Sequence, residues 1–106
     1  YAQDIAISIV SIIPHFQKAD FSSGIYHYCG NRPCSWHEFA QAIFVCAAES
    51  GLATPERLNA ILTKEYPTPA KRPAYSVLDC QMLARVFNLV PSDWQRAIPK
   101  ALKALA

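Results

Sequence analysis

Three prolines fall within the seven residues from Pro67 to Pro73, and no regular element survives such a run. Each proline fixes its own φ and removes a backbone donor, and each pushes the preceding residue toward extended geometry. Tyr66–Ser76 is therefore predicted as a stiff, extended loop. It carries Lys71, Arg72, Tyr66 and Tyr75, a set well suited to presenting side chains to a ligand.

Helical signals lie on both sides of this loop. Ile5, Ile9, Ile12, Ile13 and Phe16 recur at helical spacing within Ala2–Lys18 and make an apolar face that needs a partner surface. Pro14 predicts a kink or an early stop there. Ser35-Trp36-His37-Glu38 reads as a capping box opening a helix with Trp36, Ala40, Ile43 and Ala47 on one stripe, and Ser50-Gly51 ends it. Asp79 is placed to cap a helix over Cys80–Phe87, with Leu83, Val86 and Phe87 facing inward. A second box, Ser92 to Gln95, opens a last helix with Trp94, Ile98, Leu102 and Leu105 inward and Pro99 bending it.

Strand signals are fewer. Gly24–Cys29 is rich in β-branched and aromatic residues and is closed by Gly30-Asn31-Arg32-Pro33. Leu58–Thr63 is a second expected strand, and Thr54-Pro55-Glu56 an expected helical turn. A lone short strand leaves its backbone groups without ladder partners, so its sheet neighbours are expected to lie partly outside this chain. The first residue is Tyr1, and the chain reads as a segment of a longer protein.

The 106 residues suit one domain, residues 1–106. With 52% hydrophobic and 17% charged residues, a packed core is expected and disorder is not. Ten basic and eight acidic residues are dispersed, for a net charge of +2, which argues against a nucleic-acid surface. The apolar run Ile5–Ile13 is interrupted by serines and falls short of the ~20 residues that span a bilayer. Of the four cysteines, Cys29 and Cys34 are close while Cys46 and Cys80 stand alone, so no zinc ribbon is expected. Reduced structural thiols and a cytoplasmic location are expected, with a Cys29–Cys34 disulfide as the alternative.

The familiar catalytic signatures are absent. There is no Gly-rich dinucleotide turn, phosphate loop, His-Glu-x-x-His or Gly-x-Ser-x-Gly, and His15, His27 and His37 lie on separate elements. Ile5 stands four places after Tyr1, where a Tyr-x-x-x-Lys proton donor would need lysine.

The order of three stretches is informative: GIYHYCGNRPCSWHEFAQAIF, then YPTPAKRPAYSVLD, then DWQRAIPKAL. Together they resemble the C-terminal portion of the dTDP-4-dehydrorhamnose reductases. In that family a strand like Gly24–Gly30 leads into a helix start like Ser35-Trp36. A Pro-Thr-x-Ala-x-Arg-Pro-x-x-Ser-x-Leu-Asp stretch follows, matched here by Pro67–Asp79. The resemblance covers essentially the whole chain. It implies an α/β fold, the C-terminal lobe of an extended Rossmann-type short-chain reductase. By itself that lobe would be mostly helical, with about four helices and two or three short strands. The parent would reduce dTDP-4-dehydro-6-deoxy-L-mannose to dTDP-L-rhamnose for cell-surface polysaccharide. NADPH (or NADH) and a Tyr/Lys pair would sit in an N-terminal Rossmann domain absent here, leaving this piece inactive and without bound cofactor.

Within that resemblance, Arg72 is the first candidate for the nucleotide-sugar diphosphate, because guanidinium suits phosphate oxygens. Its alternative is a structural pairing that fixes the loop. Tyr66 and Tyr75 are candidates for stacking on base or sugar, or for packing on the loop. Trp36 is a pocket wall or a core anchor, and Ser76 a ligand contact or a loop brace. The partners implied are the dTDP-sugar, the parent's own Rossmann domain and a second copy in a homodimer, with neither nucleic acid nor membrane. Some relatives dimerise around magnesium held by glutamate near the C-terminus. Lys100–Ala106 has no acidic side chain, so no metal is expected. The same family includes a regulatory subunit of methionine adenosyltransferase, which makes a non-catalytic, protein-binding role the alternative. An autonomous helical interaction module is the third reading, and it would bury all its helical stripes unaided.

Overall fold

The structure, a computed structural model, describes residues 1–105. Its helices are α1 (Ala2–Ile12), α2 (Trp36–Glu49), α3 (Gln81–Phe87) and α4 (Trp94–Leu105), with short 3-10 segments at Ile13–Gln17 and Thr63–Glu65. They belong to two compact units. The first comprises Tyr1–Arg32 and Val77–Trp94; the second comprises Pro33–Ser76 and the chain from Gln95.

In the first unit, α1 stops where Pro14 withdraws an amide hydrogen, and the chain tightens into the 3-10 segment. Its orientation reverses the expected one. Ser8 is the buried residue of α1, while Ile5, Ile7, Ile9 and Val10 are each about half exposed or more, as are Ile13 and Phe16 beyond it. The inward stripe, Tyr1, Asp4, Ser8 and Ile12, is mostly polar. A hydrogen bond from the Ser92 hydroxyl to the Asp4 carboxylate explains this choice, since it anchors that stripe to the unit. The Ser8 hydroxyl is satisfied within the helix, donating to the Asp4 carbonyl at 2.8 Å.

Phe87, at the end of α3, is the hub of this unit. Its ring meets His15 edge-on at 5.2 Å, Tyr26 at 4.8 Å and Phe21 at 6.4 Å between centroids, and Phe16 adds to Phe21 at 4.8 Å. Leu83 and Phe87 are buried and Val86 is half-buried, as the periodicity predicts. The Asp79 carboxylate accepts the Gln81 amide at 2.8 Å, and Asn88 ends α3 in the left-handed region at φ 55°.

The expected strands do not form among the described residues. Gly30 and Ser92 make one isolated parallel bridge, in which Asn31 donates to the Ser92 carbonyl (2.8 Å) and Ser92 donates to the Cys29 carbonyl (3.1 Å). Gly24–Cys29 keeps an alternation, with Tyr26 and Tyr28 half-buried and Ile25 and His27 exposed, but it has no ladder partner. Leu58–Leu62 is exposed and irregular, and Thr54–Glu56 forms no helical turn. A strand is a property of a pair, and neither segment finds its second member here. Gly30 also lies so close to Trp94 that a β-carbon would come within 2.9 Å of the indole. The indole nitrogen donates to the Arg32 carbonyl at 3.0 Å.

In the second unit, α2 begins as predicted. The Glu38 amide donates to Ser35 Oγ (3.1 Å), and the Ser35 amide donates to Glu38 Oε2 (2.6 Å). It ends at Ser50 and Gly51, the latter at φ 72°. Phe39, Ala40 and Ile43 are half-buried and Ala47 is buried, but Trp36 is 87% exposed and anchors no core. α4 starts at Trp94, later than a box at Ser92 requires, because the Ser92 hydroxyl is committed to Asp4. The helix runs through Pro99; Ala97 and Ile98 are buried, Leu102 is half-buried and Leu105 is exposed.

Candidate functional site

From Gly51 to Asp79 every residue is exposed. Long stretches without regular structure are uncommon in compact domains and are usually functional or disordered. Here the shape is set locally. The three prolines fix φ, the Thr68 hydroxyl donates to the Ala70 carbonyl at 2.8 Å, and the Leu62 amide donates to the Glu65 carboxylate at 2.6 Å. Beyond the second unit, the chain is held at Leu78, whose carbonyl accepts the Cys29 thiol at 3.6 Å, and at Asp79 by its bond to Gln81.

The predicted site residues all lie on the surface of the second unit. Tyr66 is 68% and Tyr75 74% exposed, so neither ring packs on the loop, and Arg72 and Ser76 are exposed beside them in sequence. Among the described residues, Arg72 makes no ion pair or hydrogen bond and Ser76 braces nothing. The guanidinium therefore keeps its full donor set for something outside the chain. Trp36, at the first position of α2, joins none of these side chains through a ring contact or hydrogen bond. The residues share a surface segment rather than a closed cavity.

An open groove of about 350 Å³ does exist in the second unit, between α2 and the start of α4. Glu38, Gln41, Val45, Cys46 and Glu49 line one side and Ile98 the other, and none of the five candidates reaches it. Two carboxylates make it a poor cradle for a diphosphate. The Ser35 amide and hydroxyl, and then nearby His37, hold the Glu38 carboxyl below its usual value of 4.5, keeping it anionic.

The starts of α1, α2 and α3 are poor seats for a phosphate. An anion-binding helix start needs amides free to meet phosphate. Glu38 covers the start of α2, Asp79 accepts the first amide of α3, and Asp4 occupies the first turn of α1. Described residues hold no cluster of three or more metal-ligating side chains and no helix long and apolar enough to cross a membrane.

Sequence reasoning missed two connections, Asp4–Ser92 and Cys29–Cys80. The four cysteines are free, and the nearest thiol partner of Cys29 is Cys80, with sulfurs 3.4 Å apart, rather than Cys34.

With this geometry in view, comparison with known proteins is decisive. The chain matches the RmlD substrate binding domain over residues 1–106. It belongs to that family. It is 42% identical to a dTDP-4-dehydrorhamnose reductase of Aggregatibacter actinomycetemcomitans, over all of this chain and 36% of the relative. It is 36% identical to one of Escherichia coli, over 78% of this chain and 28% of the relative. The Bacillus subtilis spore coat polysaccharide biosynthesis protein SpsK is 34% identical, over 97% of this chain and 32% of its own length. The chain thus spans about a third of these curated relatives. No solved structure matches it significantly.

Proposed function

We propose that this chain is the substrate-holding portion of a dTDP-4-dehydrorhamnose reductase that makes dTDP-L-rhamnose for cell-surface polysaccharide. The observation that carries the reading is the Arg72 segment, which is stiff, wholly exposed and bears an unpartnered guanidinium in a chain that matches a substrate-binding family throughout. A guanidinium presents a rigid fork of donors to diphosphate oxygens. Tyr66 and Tyr75 offer flat faces for the base or sugar, Ser76 a hydroxyl, and Trp36 a wall. Reduced nicotinamide, NADPH or NADH, is assigned to a Rossmann domain elsewhere in the parent, as the resemblance to the family implies.

Two features support a missing partner domain over an autonomous module. The outward apolar face of α1 forms a patch that a self-sufficient domain would bury, and Gly24–Cys29 alternates without a ladder. The parent is taken to be cytoplasmic and to act as a homodimer, and this chain by itself is expected to be inactive.

The test uses the full-length protein. Arg72→Ala should raise KM for the dTDP-sugar roughly 10- to 100-fold, since a hydrogen bond to a charged group contributes about 1.5–3 kcal/mol, with a smaller change in kcat. An unchanged KM removes Arg72 from the pocket. NADPH oxidation by the isolated chain in the presence of the dTDP-4-dehydro sugar would overturn the division of labour.

A further inference from the structure

We propose that Cys29 and Cys80 form an oxidisable dithiol that closes to a disulfide when the protein meets a peroxide. The two sulfurs are 3.4 Å apart across fifty intervening residues, within hydrogen-bonding reach and needing only a small side-chain rotation to bond. Both thiols face the same carbonyl, that of Leu78, at 3.6 Å from Cys29 and 3.9 Å from Cys80. Cys29 is half-buried and Cys80 is buried, so the first is the entry point and the second the resolving thiol. Burial first, and then the neighbouring Cys29 thiol, pushes the Cys80 thiol above its usual value of 9.0, which suits that assignment.

The steps balance. The Cys29 thiolate attacks one peroxide oxygen, the O–O bond breaks, and sulfenic acid and water form with the proton that Cys29 released. The Cys80 sulfur then attacks the Cys29 sulfur, the S–O bond breaks, and hydroxide leaves as water with the Cys80 proton. Two thiols are oxidised and one peroxide is reduced to two waters. The bridge encloses the whole proline–arginine segment in a covalent ring. Transient disulfides of this kind are the usual form in reducing compartments.

The test is disulfide mapping of the full-length protein after stoichiometric hydrogen peroxide and alkylation. A Cys29–Cys80 peptide pair is expected, reversed by dithiothreitol, with Cys34 and Cys46 still alkylated and a higher Tm for the oxidised form. The same treatment in urea should shift pairing toward Cys29–Cys34, which the shorter loop favours by roughly 30-fold. Cys29→Ser should abolish the native bridge, and Cys34→Ser should leave its yield unchanged. A native Cys29–Cys34 bridge overturns the proposal, as does Cys29 driven to sulfinic acid while Cys80 stays alkylatable.

Discussion

The Phe87 cluster and the Gly51–Asp79 stretch are held in shape by opposite means. Around Phe87, residues distant in sequence meet: His15, Phe21 and Tyr26 on its ring, Cys29 at Cys80, Asp4 at Ser92. Along Gly51–Asp79 nothing is buried, and from Leu58 to Ser76 geometry comes from proline rings and bonds spanning two or three residues. The first region depends on its contacts for stability. The second is stiff without contributing much to stability, so its side chains are left available to meet something else.

Substitutions can break that contrast. Phe87→Ala should cost about 3–5 kcal/mol, as large aromatic truncations do, and lower the denaturation midpoint sharply. A small shift would mean the rings are not the hub. Gly30→Ala should cost about 1–3 kcal/mol, because the new methyl meets the Trp94 indole at a distance no β-carbon tolerates. Near-native stability there would show that the indole moves aside freely. Ser35→Ala, at the start of α2, should cost about 1 kcal/mol by removing the cap, read as lost helicity and a lower Tm.

A smaller effect follows from Glu38. Its pKa is depressed on folding, so its contribution is complete above 4.5 and is lost as pH falls through the lower folded value. Helicity followed from neutral pH downward should be flat until that window, and Glu38→Gln should remove the step. A step beginning well above 4.5 would point to another group. Smallest of all, Arg72→Ala and Tyr66→Ala should leave stability within about 0.5 kcal/mol. A large loss at either would erase the distinction between the two regions.

The same contrast governs what the sequence revealed. α2 was legible because Ser35, Glu38 and Gly51 act on their immediate neighbours, and the inward face of α3 because Leu83 and Phe87 lie one turn apart. The strands were not, since Gly24–Cys29 has the right residues but finds only a single-residue bridge. The spacing of isoleucines announced α1 yet not its orientation, which Ser92, far along the chain, decides through Asp4. The site followed similar logic. Proline chemistry foretold a stiff segment presenting Arg72, Tyr66 and Tyr75, whereas the exposure of Trp36 and the Cys29–Cys80 encounter depend on tertiary placement that no local pattern encodes.

The reversed helix α1 has a practical corollary. Because Asp4 tethers it on the inside through Ser92, its outward isoleucines and valine can be repainted without disturbing that tether. Replacing Ile7 and Val10 with glutamate or lysine is the direct route to a version of this chain that stays dispersed at high concentration, ready for crystallisation or ligand screening.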